Sequence, residues 1–234
     1  MGFIFSTVFF FKIKSRFYFF FSVLRIVVIY FCWWRDVSRE RESGYHSFEV
    51  RDGLKLGIIL FIFREVLFFF AWFWGFFHRS LVPSEELGVI WPPFSVVCID
   101  PFKVPLLNTC VLLLRGATVT WAHHSIIINN NSLLFIIYTI LLGFFFTFLQ
   151  GIEYFESTFN IRDNIYGRRF FVTTGFHGIH VIVGSLFLLY CLRYFFKKKI
   201  TKWQHIRIEF AIWYWHFVDV VWLFLFFFIY WWSF

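Results

Sequence analysis

Six apolar runs of bilayer length dominate this chain: Phe17 to Trp34, Leu56 to Phe77, Val104 to Ile128, Leu133 to Phe155, Phe170 to Phe196 and Ile208 to Tyr230. A hydrocarbon core about 30 Å thick needs about 20 apolar residues in a helix, and each run approaches or exceeds that length between charged, Pro or Asn boundaries. Backbone amides find no water partner in lipid, so each run is expected to be α-helical, with its connections at the two interfaces. Trp33–Trp34 and Trp231–Trp232 stand at span ends, where amphipathic indoles favour the headgroup layer. The expected fold class is therefore all-α, a polytopic transmembrane helix bundle.

Composition excludes most other classes. With 60% hydrophobic residues, 15% charged residues and a mean hydropathy of +0.71, neither an ordinary soluble domain nor a disordered chain is expected. The formal charge of +8 does not point to nucleic acid, because the basic residues are separated by apolar runs instead of gathered on one face. Cys32, Cys98, Cys110 and Cys191 are isolated in sequence and read as packing residues, with neither a disulfide framework nor a zinc motif.

The opening stretch from Gly2 to Phe11 is apolar but only ten residues long before Lys12, Lys14 and Arg16. It is too short to cross, and a secretory signal carries its charges before the apolar region, not after it. It reads as a truncated first span. The expected organisation is one transmembrane domain over residues 1–234: a remnant at 1–16, a helix and following loop over 17–55, and a five-helix bundle over 56–234.

A few polar residues interrupt the spans. Glu65 lies deep in the second run, beside Arg64; a charge at mid-bilayer costs roughly 2.5–3.5 kcal/mol on insertion scales, so it should face protein, water or a lipid headgroup. Two roles fit: a proton-accepting or lipid-binding carboxylate, or a protonated interhelix hydrogen-bonding group. Arg64 is not expected to neutralise it simply, since adjacent helical residues project about 100° apart. His123 and His124 diverge for the same reason and make a poor chelating pair. His177 and His180 share a face at i, i+3, yet lack a third ligand at helical spacing, so interhelix hydrogen bonding is preferred to metal binding. Gly175, Gly178 and Gly184 are expected to admit a neighbouring helix. His216 and Asp219, also at i, i+3, permit a carboxylate–imidazole pair or a proton relay. No convincing set of metal or redox ligands emerges.

The motifs are more specific than their physics. Trp33-Trp34-Arg35-Asp36-Val37, Glu65-Val66-Leu67-Phe68-Phe69, Pro83 with Glu86-Leu87-Gly88, Trp91-Pro92-Pro93, Val104-Pro105-Leu106-Leu107-Asn108-Thr109, Thr120-Trp121-Ala122-His123-His124, Thr174-Gly175-Phe176-His177-Gly178 and the Trp213 to Trp222 block occur in order. From about residue 33 to the C-terminus the chain resembles subunit III of mitochondrial cytochrome c oxidase. The resemblance implies a core subunit of the proton-pumping terminal oxidase of the inner membrane, holding no haem or copper of its own, since those lie in partner subunits. It implies packing against catalytic subunit I and other oxidase subunits, support of proton uptake, and phospholipids in a cleft between the first two helices and the other five. Carried over by position, Glu65 corresponds to the family's intramembrane carboxylate, and Trp34, Arg39, His46 and Arg193 to groups near lipid phosphates. His123, His124, His177, His180, His216 and Asp219 then read as structural polar anchors. Two other readings compete: subunit III of a quinol oxidase, and an independent transporter using Glu65 and Asp219 as a proton path. A metal or haem protein built on the five span histidines is the enzyme-class alternative.

The chain departs from the resembled pattern in two ways. It begins partway through the first of seven helices, and Arg64, Arg79, Arg115, Arg162 and Arg168 all stand where the pattern has Ser. Several animal mitochondrial codes read AGA and AGG as Ser, so some or all of these positions are predicted to be Ser in the mature protein. As written, the loops of one side (35–55, 129–132, 197–207) carry ten Lys and Arg against eight on the other. With Ser at the suspect sites the contrast becomes ten against five, which places the first set on the matrix side and the C-terminus towards the intermembrane space.

Overall fold

The computed structural model describes the backbone of residues 16–83, 85, 88–94, 96–128, 132–197, 200 and 205–234, with side chains from Phe20 onward. The stretch read as a remnant of a first helix, apart from Arg16, and the Glu86-Leu87 part of one motif lie outside the described residues. Among those described, the elements are α1 (Arg16–Glu42), α2 (Phe48–Ser80), α3 (Val104–Ile127), α4 (Leu133–Glu156), α5 (Ile165–Phe196) and α6 (Ile206–Leu225), the last running into a π-helical turn over Phe226–Trp231. No strand occurs among them. Five helices, α2 to α6 with its π turn, are long and apolar enough to cross a membrane. The expected first run, Phe17 to Trp34, lies within α1, which is not among those five.

Helices outrun the apolar runs that announce them. The stretch 35–55, expected as a loop after its helix, is helical to Glu42 and again from Phe48. Bilayer length sets only the apolar part of a helix, and nothing stops the backbone ladder from continuing through charged residues into the interface. What stops α1 is Gly44, whose φ of +82° admits the left-handed turn that lets the amides of Ser43, Gly44 and Tyr45 close on the carbonyls of Arg39, Arg41 and Glu40. The Ser47 hydroxyl then accepts from the Val50 amide and starts α2. At α5, Asn164 caps the helix by accepting from the Gly167 amide at 2.7 Å.

The chain divides into two compact units, one through Gly57 and one from Ile58 to the end. In the first, α1 carries Trp33 and Trp34 against Tyr30, and the Ser38 hydroxyl donates to the Trp34 carbonyl at 2.8 Å. The core of the second is aromatic: Phe76, Phe146, Tyr166, Phe170, Trp215 and Trp222 are all buried. Lipid offers no hydrophobic drive for helix association, so close packing and interhelix hydrogen bonds must hold this unit. Thr118 and Thr139 bond at 2.8 Å between α3 and α4; Trp222 Nε1 on α6 donates to Thr109 Oγ1 on α3 at 3.1 Å; Tyr154 and Thr174 bond at 2.6 Å between α4 and α5. Of the glycines expected to admit a neighbour, Gly184 lies against Trp215 and Gly178 against Gln150, but Gly175 faces open space. Gly143, not singled out from sequence, also lies against Trp215.

The cysteines are all free. Cys98, in the loop before α3, donates to the Ser233 carbonyl at 3.3 Å, and burial pushes its thiol above the ordinary cysteine range.

Candidate functional site

Glu65 sits midway along α2 and reaches His180 on α5, with Oε2 3.0 Å from His180 Nε2. Aromatic rings enclose the pair: the Phe69 ring meets the imidazole edge at 5.0 Å and Tyr214 lies nearly parallel to it at 6.3 Å. Both side chains are largely shielded, at 12% and 13% exposure. The other imidazole nitrogen, Nδ1, lies 2.7 Å from the Phe176 carbonyl, an oxygen that can only accept. Nδ1 therefore carries a hydrogen. The Nε2 to Oε2 contact then requires one more proton, held either as a carboxylic acid donating to neutral imidazole or as an imidazolium donating to carboxylate. A single shared proton between two helices, inside an apolar bundle, is the chemistry this site supplies.

Arg64 corrects the sequence expectation. Its guanidinium curls back and donates through Nε and Nη2 to Glu65 Oε1, Nε at 3.1 Å. The two backbone positions do diverge by about 100°, but a long flexible stem spans that gap. Arg64 itself is 70% exposed, so only the carboxylate end of this pair is shielded.

The other predicted residues fall in both units. Trp34, Arg39 and His46 belong to the first unit, with Arg39 in the last turn of α1; Arg193 is exposed in the last turn of α5. His177 is fully buried and bonds through Nε2 to the Val218 carbonyl at 3.3 Å. Asp219 is engaged by Arg115, not by His216 as its spacing allowed: Arg115 Nε donates to Asp219 Oδ1 at 2.9 Å, and Nη2 makes an ion-pair contact with the same oxygen at 2.8 Å. The buried guanidinium is sandwiched by the rings of Phe146 and Trp215 at 4.7 and 4.8 Å. A carboxylate within reach of a guanidinium on the facing helix gains more than from a half-exposed imidazole one turn away. His124 and His216 line an open groove between α3 and α6 that also touches Asp219. His123 points elsewhere, towards Glu209 and His205. Sequence spacing did not reveal the buried Glu153, whose Oε1 accepts from Tyr230 at 2.5 Å, because its partner comes from a distant helix end.

Comparisons agree with this architecture. The family profile described as Cytochrome c oxidase subunit III matches residues 1–234. Curated relatives named cytochrome c oxidase subunit 3 include those of Gadus morhua, 54% identical over 91% of this chain and 82% of theirs, and Myxine glutinosa, 53% identical over 92% and 83%. That of Drosophila melanogaster is 52% identical over 91% and 82%. Identity at this level, sustained across bilayer-length helices and a profile match over the whole chain, leaves one conclusion: the chain belongs to the cytochrome c oxidase subunit III family.

Proposed function

We propose that this core, non-catalytic component of the terminal oxidase keeps the catalytic subunit active through its intramembrane proton-sharing pair, Glu65 and His180, and through phospholipids held near Trp34, Arg39, His46, Glu65 and Arg193. The observation that carries the reading is the one-proton contact between Glu65 Oε2 and His180 Nε2 amid apolar rings. A shielded carboxyl that can exchange its proton with an imidazole is suited to relaying or buffering protons beside a proton-pumping partner. Exposed arginines at helix ends suit lipid phosphates, which a planar guanidinium fork can pair with. The many outward-facing large apolar residues of α2 and α4, among them Leu67, Phe70, Leu141 and Phe148, fit contact with lipid or partner subunits.

The setting proposed is the mitochondrial inner membrane, with residues 35–55 and 197–207 on the matrix side and the C-terminus towards the intermembrane space. With Ser at positions 79, 162 and 168, ten Lys and Arg in those two segments against five on the other side support that orientation. Oxidase carrying Glu65→Ala should lose activity progressively during turnover and lose bound phospholipid, and Glu65→Gln, which keeps the shape but not the exchangeable acid, should reproduce the turnover loss. An Ala variant with normal turnover, lipid content and resistance to inactivation would refute the reading.

A further inference from the structure

At the end of the second unit where α3 finishes and α6 begins, three ligand-type side chains converge. His205 Nε2 lies 3.0 Å from Glu209 Oε1, and His123 Nε2 lies 3.8 Å from the same oxygen. All three donor atoms fall within 4.8 Å of one another. The sequence concealed this cluster because His123 invited comparison with His124, its divergent neighbour, whereas its companions come from the start of another helix.

We propose that His123 Nε2, His205 Nε2 and a Glu209 carboxylate oxygen form a three-ligand site for a divalent cation of the zinc class, with water in the fourth position. Zinc binds imidazole nitrogen and carboxylate oxygen at about 2.0–2.2 Å, so tetrahedral ligand atoms stand about 3.4 Å apart. The separations of 3.0 and 3.8 Å straddle that value, and the two imidazole nitrogens lie within 4.8 Å of each other. His205 and Glu209 occupy i and i+4 at the start of α6, the same-face spacing used by helical zinc sites. A second observation also points to a ligand. His123 Nε2 is buried without a hydrogen-bond partner, though it faces the Glu209 carboxylate; a cation between them satisfies both. Side-chain exposures of 29%, 18% and 24% for His123, His205 and Glu209 leave an entry path from the interface. Two imidazoles and one carboxylate suit zinc better than the hard cations calcium or magnesium, which take oxygen ligands. A bound ion would clamp α3 to α6 at that membrane face.

The test uses the intact oxidase complex, stripped with a chelator and titrated with zinc chloride. Wild-type complex should bind one more zinc equivalent than complexes carrying His123→Asn or Glu209→Gln, with retention of the subunit checked on a native gel. Glu209→Gln keeps a hydrogen-bonding partner for His205 and so decides the matter if His123→Asn fails to assemble. His124→Asn, altering the exposed neighbour, should leave zinc binding unchanged. Crystals of the complex soaked in zinc chloride should show an anomalous peak at the zinc edge between the three side chains. Equal zinc stoichiometry and affinity in wild type and Glu209→Gln, loss of zinc with His124→Asn alone, or a peak elsewhere with none at this cluster overturns the proposal.

Discussion

Replacing Gly184 by Ala should loosen the packing of α5 against α6 in this subunit. An ideal Cβ at Gly184 would lie 2.6 and 2.7 Å from two ring carbons of Trp215 and 3.4 Å from Tyr214. Ordinary contact begins near 3.4 Å, so the indole would have to retreat by nearly 1 Å. It has nowhere to go. A Cβ at Gly143 would stand 2.9 Å from the neighbouring ring carbon Cη2, and the Arg115 guanidinium lies over the indole at 4.8 Å. Overpacking typically costs about 1–3 kcal/mol, and a ring clamped between two glycines on different helices belongs at the upper end, about 3 kcal/mol. That corresponds to roughly two decades in an association equilibrium. The assay is retention of the subunit by the oxidase during a detergent or temperature ramp, scored on native gels. Trp215→Phe, which shortens the ring, should weaken the wild type yet suppress most of the Gly184→Ala defect, giving a coupling of about 1 kcal/mol or more. Additive effects of the two changes, or an Ala variant retained like wild type, would show that this close approach does not hold the helices together.

The Arg115–Asp219 pair should respond asymmetrically. Asp219→Ala strands a buried guanidinium that cannot give up its proton, at about 3–5 kcal/mol. Arg115→Ser leaves a carboxyl that can protonate and accept from the hydroxyl, so it should cost no more than about 2 kcal/mol; equal losses in thermal retention of the two variants would contradict this. The same tolerance bears on the coding prediction. Peptide mass spectrometry across Phe61 to Trp72 should find Ser at position 64, and an observed Arg64 defeats the expectation there.

Much of the architecture was legible because the bilayer is a one-dimensional constraint. Apolar length announces a span, and the runs beginning at Val104 and Leu133 start where α3 and α4 start. Helix ends beyond the apolar core were less legible. Neither Gly44 nor the Ser47 cap belongs to a hydrophobic pattern, so the helical extent of 35–55 went unseen. At the candidate site, Glu65 stood out by its cost in lipid, and His177 and His180 by their spacing. That only His180 meets Glu65 depended on which face of α5 turns towards α2.

The sequence alone determined an all-helical membrane chain, its family, and Glu65 as a carboxylate whose place in a span demands a partner, because these follow from local composition and ordered motifs. Tertiary structure decided the pairings: His180 for Glu65, Arg115 for Asp219, Tyr230 for Glu153, and His205 with Glu209 beside His123. Each joins residues on different helices. Spacing within a helix fixes only which residues share a face, whereas packing of large rings against glycines fixes how the helices are rotated and what each face meets.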